Sequence, residues 1–62
     1  MHAGRTEEGR ARALVVDDDP ATVKLVRLLL EQDRFAVDAA GTGTEGLTLA
    51  SRGAYDVIVL DL

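Results

Sequence analysis

The sequence predicts an α/β fold: a parallel sheet with helices on its faces, in the order strand, helix, strand, helix, strand. Three observations lead there. Leu14-Val15-Val16 and Val57-Ile58-Val59-Leu60 are short apolar runs with the composition of buried strands. The segments between them carry helical periodicity and helix-start signals. The connections are short, and such alternation implies parallel strands joined by right-handed crossovers.

Each element has its own signal. Arg12 to Asp17 reads as the first strand, with polar residues on either side. Asp19-Pro20 reads as a helix start, because Asp19 can accept hydrogen bonds from free amides and proline suits the first helical position. Ala21 to Asp33 continues that helix, with Lys24, Arg27 and Glu31 on one narrow polar face. Val23, Leu25, Val26, Leu28, Leu29 and Leu30 cover the rest of its circumference. That apolar arc is wider than one sheet contact needs, so part of it is expected to meet a second surface. Phe35 to Ala39 is a shorter, weaker strand. Thr42 is placed to cap a second helix, with Glu45 three residues on completing a capping box. That helix runs through Leu47, Leu49 and Ala50, and Gly53 suits its end. Tyr55 to Asp61 is the third strand.

Size and composition narrow the function. Sixty-two residues make at most one small domain. A chain of this length buries only ~60% of the surface its unfolded form exposes, so its stability is expected to be marginal. It has no cysteine, which excludes disulfides and thiolate metal sites. A formal net charge of −4 argues against direct nucleic-acid contact, which needs a basic face. Residues 1–11 are polar and read as a disordered tail, leaving 12–62 as the domain. No apolar stretch has the length of a membrane anchor or a signal peptide, so a cytoplasmic location is expected. The sequence stops at Asp61-Leu62 directly after a strand, which reads as a fragment.

The chemistry is expected at the strand tips. Asp17, Asp18 and Asp19 end the first strand, and Asp61 ends the third. In open α/β sheets, ligands bind beyond the carboxyl ends of the strands, where strand order reverses. If the first strand lies between the other two, Asp17, Asp18 and Asp61 converge there. Such hard oxygen donors suit magnesium, which takes one or two carboxylates and keeps several waters. An aspartate beside it could act as the nucleophile towards a phosphoryl group. For an isolated Asp-Asp pair, solvated residues at a turn are the better reading. It is the position of Asp61 that tips the balance.

Four segments together resemble the first half of a two-component response-regulator receiver domain. They are Leu14 to Pro20, Thr22 to Glu31, Ala40 to Leu47, and Tyr55 to Leu62. No single motif decides this; the order and spacing of acidic pair, glycine-containing loop and strand-terminal Asp-Leu do. The resemblance implies a flavodoxin-like doubly wound parallel sheet, cut after the third strand. It implies Asp61 as phosphoacceptor, taking phosphoryl from a sensor histidine kinase or phosphotransfer protein with Mg2+. It implies Asp18 as a direct metal ligand and Asp17 as a ligand through water. It further implies a backbone carbonyl ligand at position 63 and a Ser or Thr and a Lys that bind the phosphoryl group, none of which falls within these residues, and it leaves open whether an output domain or nothing follows. The piece alone is therefore expected to be unstable and barely phosphorylated, with its third strand a bare apolar edge. The resemblance also implies a signalling module and not a turnover enzyme.

Two other readings compete. Gly41-Thr42-Gly43-Thr44-Glu45-Gly46 matches the G-x-G-x-x-G of dinucleotide-binding folds, with Asp61 fifteen residues past Gly46. Against it, the preceding strand is short and carries Asp38, and the first strand-helix unit is left without a role. Gly41 and Gly43 then simply allow a tight turn, and Gly46 permits close packing. Asp17-x-Asp19 also resembles the aspartate pair of haloacid-dehalogenase-like phosphatases, although Ala21 stands where that family usually has Thr or Val. Asp38, Asp56 and His2 are assigned no role. The apolar arc of the first helix reads either as packing surface or, by the resemblance, as a docking face for kinase helices.

Overall fold

The computed structural model describes residues 9–61. Its elements are β1 (Arg12–Val16), α1 (Pro20–Gln32), β2 (Ala36–Ala40), α2 (Gly43–Arg52) and β3 (Val57–Leu60). The alternating order is the expected one, and the sheet is parallel throughout with strand order β2-β1-β3. β1 is thus the central strand. Its partners are Arg12 to Val16 with Ala36 to Ala40 on one side, and Ala13 to Val16 with Val57 to Leu60 on the other. Of the expected tail, residues 1–8 lie outside the described residues. The ladder reaches Ala11, whose carbonyl accepts from the Ala36 amide at 2.8 Å.

The core is β1 and what covers it. Leu14, Val16 and Ala40 form one buried cluster, on which Leu49 and Ala50 of α2 and Tyr55 pack. Successive strand residues point to opposite faces. Ala13 and Val15 therefore face the other way, and they are just as buried. α1, which contacts β1 and β2, accounts for that second cover. β3 has β1 as its only close backbone neighbour, and its Ile58 and Leu60 border an open apolar cleft with Leu47 and Ala50 of α2. Its Ile58 and Leu60 stay more than half exposed, the bare apolar strand that the sequence implied.

The helix ends follow local chemistry. Asp19 caps α1: its carboxylate accepts from the Ala21 amide at 3.1 Å and from the Thr22 hydroxyl at 2.9 Å. Thr42 caps α2 through the Glu45 amide at 3.1 Å, but Glu45 returns its carboxylate to the Gly41 amide at 2.8 Å, not to Thr42. α1 ends in a Schellman motif, with Phe35 N–H donating to Leu30 O and Arg34 N–H to Glu31 O, both 3.0 Å. Arg34 holds the left-handed position there, at φ 68°, where glycine is usual. Gly53 does end α2, but at φ −104°, so its value is space: a Cβ there would lie 2.8 Å from the Tyr55 ring.

One expectation about α1 changes. Arg27 shares the polar face with Lys24 and Glu31, but unlike them it does not stand in solvent. It is half-buried and reaches across to the Val37 carbonyl at 3.4 Å, with its Nε unpartnered. Leu25, Leu28 and Leu29 are the residues left in solvent. The sheet takes up Val23, Val26 and Leu30 and leaves the rest of the wide apolar arc uncovered.

Candidate functional site

The acidic residues meet at the carboxyl edge of the sheet because β1 lies between β2 and β3. Asp17 follows Val16, and Asp61 follows Leu60, its register partner. The backbone fixes both residues. The Asp17 amide donates to Ala40 O at 3.1 Å, and the Asp61 amide to Val16 O at 3.0 Å. The two residues line one open cavity, together with Asp18. Asp17 is buried, and one of its oxygens accepts the Asp19 amide at 2.9 Å. Asp18 and Asp61 are exposed.

The charges are uncompensated. The Asp61 carboxyl is held above the usual carboxylate range, first by the negative charge of Asp17, then by lost hydration, and further by the charges of Asp18 and Asp19. The only ion pair between side chains among the described residues is Arg12–Asp38, which lies elsewhere. An open cavity of about 520 Å³ is lined by Asp17, Asp18 and Asp61 together with Gly41, Thr42 and Gly43. The loop that the G-x-G-x-x-G reading singled out therefore forms a wall of the acidic cavity. A second cavity of about 410 Å³ shares Asp17, Asp18 and Gly41 and adds Lys24, Arg27 and Glu45.

Among the described residues, no three acidic or histidine side chains are gathered into a ready metal cage. The arrangement is a carboxylate pair, Asp17 with Asp61, flanked by Asp18. That fits magnesium, which rarely takes an all-protein cage and keeps several waters. The donor set is all oxygen, and the raised Asp61 carboxyl marks an excess of negative charge that a cation would relieve.

The other sequence expectations fall out as follows. Asp19 is spent on the α1 cap. Gly41 and Gly43 flank the α2 cap, and Gly46 is buried against β1: a Cβ there would lie 2.7 Å from Val16 Cγ2. The strand before the glycine loop is β2, an edge strand, whereas a dinucleotide fingerprint follows the central one. His2 lies outside the described residues. Asp38 and Asp56, assigned no role, both bond to Arg12 near the opposite end of β1. The visible signal for Asp38 was a charge inside an otherwise apolar strand. Asp56 gave none, because it looks like any residue entering a strand.

The comparisons with known proteins bear on the family. The family model described as response regulator receiver domain matches residues 13–62. The transcriptional regulatory protein ResD of Bacillus subtilis is 36% identical over 56 residues, covering 90% of this chain and 23% of that protein. The transcriptional regulatory protein GlrR of Escherichia coli is 40% identical over 52 residues, covering 84% of this chain and 12% of its own length. The cell cycle transcriptional regulator CtrA of Caulobacter vibrioides is 39% identical over 51 residues, covering 82% and 22% respectively. The chain thus spans less than a quarter of these relatives. No solved structure gives a significant match.

Proposed function

Because the chain belongs to the response regulator receiver domain family, we propose that it is the phosphoacceptor part of a two-component phosphorelay, with Asp61 receiving the phosphoryl group. The observation that carries this is the convergence of Asp17 and Asp61 from neighbouring strand tips, with the Asp61 carboxyl raised by its acidic neighbours. A carboxylate oxygen of Asp61 attacks phosphorus, and the bond to the donor histidine nitrogen breaks, leaving an aspartyl phosphate and a free imidazole. Magnesium, when bound, offsets the negative charge shared by the carboxylates and the incoming phosphoryl group. Asp18 and Asp61 would hold it through carboxylate oxygens, and Asp17 would help through a water, with one of its oxygens already accepting the Asp19 amide. Thr42 and Gly43 bound the cavity in which the group arrives.

The partners follow from the same reading. The phosphodonor is a sensor histidine kinase or a phosphotransfer protein. The relatives are named as transcriptional regulators, and an output domain is the corresponding partner here. The module signals by a shift in conformational equilibrium and does not turn over a substrate. Its place is the cytoplasm. Among the described residues, no helix is long and apolar enough to cross a membrane.

The test uses the chain with acetyl phosphate and magnesium, read by mass spectrometry. The expected result is low-level, magnesium-dependent phosphorylation at Asp61, abolished in Asp61→Asn and weakened in Asp18→Asn. Phosphoryl found on another residue, or yield indifferent to magnesium, would sink the proposal. The family match leaves the dinucleotide-binding and haloacid-dehalogenase-like readings without support, and NAD is expected to produce no spectroscopic change.

A further inference from the structure

β3 poses a register problem. Its four residues, Val57 to Leu60, are all apolar, so sliding them along β1 exchanges like for like. Register is weakly specified where no buried face distinguishes one residue from the next. No helix lies close against the backbone of β3, its Ile58 and Leu60 only border an open apolar cleft with Leu47 and Ala50 of α2, and Val57, Ile58 and Leu60 are all exposed, so packing does little to hold it. Yet each residue of slip carries Asp61 about 3.3 Å along the strand. A slip of one also turns every side chain to the opposite face. Either movement separates Asp61 from Asp17.

Beside the ladder and the Asp61 amide's bond to Val16 O, the one side-chain contact among the described residues that fixes β3 lies just before it. The Asp56 amide donates to Arg12 O at 2.9 Å, and the Arg12 amide donates to Asp56 Oδ2 at 2.8 Å. This two-bond ring exists in one register only. The neighbouring residue is tied to the same arginine. Arg12 stacks over the Tyr55 ring, 4.8 Å from its centroid. The Arg12 guanidinium and the Tyr55 hydroxyl both donate to Asp38 Oδ2, at 2.8 and 2.7 Å. β1, β2 and the entry to β3 are thereby clasped together at the edge away from the acidic cavity.

We infer that Asp56 is a positioning residue: it sets the register of β3 on β1 and so holds Asp61 beside Asp17. The functional meaning of that placement rests on the phosphoacceptor reading; the register assignment itself does not. Asp56 touches none of the reacting groups and acts only through the strand.

The experiment is NMR on the isotope-labelled 62-residue chain, comparing Asp56→Ala and Asp56→Asn with the parent. In the parent, cross-strand proton contacts join Ala13 to Val57 and Val16 to Leu60, and added magnesium alone shifts Asp17, Asp18 and Asp61 together. In Asp56→Ala, the β1–β2 contacts persist, the two β1–β3 contacts are lost, and Asp61 no longer responds with Asp17. Asp56→Asn restores both readouts, because its amide oxygen still accepts from the Arg12 amide. Native β1–β3 contacts in a folded Asp56→Ala chain would overturn the inference. If Asp56→Ala leaves no folded sheet, Asp56→Asn decides: native contacts support the assignment and displaced ones overturn it. A parent chain deaf to magnesium refutes the phosphoacceptor reading alone, since the contacts are read without metal.

Discussion

β1 and β3 are both short runs of aliphatic residues that end in aspartate, and they pair in parallel from Ala13–Val57 to Val16–Leu60. Their surroundings differ sharply. Leu14 is fully buried, while its register partner Ile58 is 51% exposed. Composition does not separate the two strands; position in the sheet does. A central strand has a neighbour on each side and a helix on each face, whereas β3 has only β1. The acidic cavity is therefore built from one fixed wall and one weakly held wall. The buried Asp17 belongs to the first and the exposed Asp61 to the second.

The largest expected effect tests that contrast directly. Leu14→Ala should cost about 2–5 kcal/mol, as for other buried leucines. Ile58→Ala, across the ladder, should cost under about 1 kcal/mol. Urea unfolding of both variants gives the difference, and equal losses would break the comparison.

Magnesium should sharpen it next. At a hundredfold excess over its dissociation constant, a cation held only by the folded chain stabilises it by about 2.7 kcal/mol. The pH dependence has a definite sign. The folded-state value of Asp61 is raised, so folding takes up a proton between that value and the ordinary carboxylate value. Without metal, stability should therefore rise as pH falls through that window, and the magnesium effect should disappear there. Asp38 works in the opposite direction. Its carboxyl is lowered, first by the Tyr55 hydroxyl and then, against some loss of hydration, by Arg12. Its contribution is present above the ordinary carboxylate value and is lost as pH falls through the lowered one. Thermal melts across pH 3–7, with and without magnesium, read both.

Gly46→Ala should come third. The new methyl would press on the β-branched Val16. Overpacking of about 1–3 kcal/mol is offset by roughly 1 kcal/mol of helix propensity. Gly43→Ala is the control, because a Cβ there meets nothing within 4 Å and should be tolerated. The smallest effect is Tyr55→Phe, which removes one hydrogen bond to Asp38 at a cost of about 1 kcal/mol. The Tyr55 phenol is raised, chiefly by desolvation and then by Asp38. The parent's advantage over the variant should persist to alkaline pH and fade as pH rises through that raised value.

Much of this was legible in the sequence, for identifiable reasons. The aliphatic runs, Asp19-Pro20 and Thr42 with Glu45 are local signals, and the structure reproduces the elements they announce within a residue or two. The central position of β1 was a supposition in the sequence, and the observed strand order β2-β1-β3 supplies it. What escaped was non-local. Arg27 looked like one charge in a polar stripe, and only the adjoining β2 shows why it is drawn inward. The Schellman turn was hidden because arginine stands where glycine would have advertised it. The clasp around Arg12 joins residues up to 44 positions apart, beyond any window of periodicity. The bonds that fix β3 in place were thus the least visible part of the site.

Position 46 carries a consequence for the geometry of the acidic cavity. With no side chain there, α2 settles directly onto Val16, and its first turn stands at the rim of the acidic cavity with Thr42 and Gly43. A helix start presents unpaired amides and about half a positive charge. The missing methyl thus brings a fixed, proton-independent source of positive potential towards a cavity crowded with carboxylates. Lengthening that one contact by an ångström would draw this positive end back from the carboxylates without altering a single acidic residue.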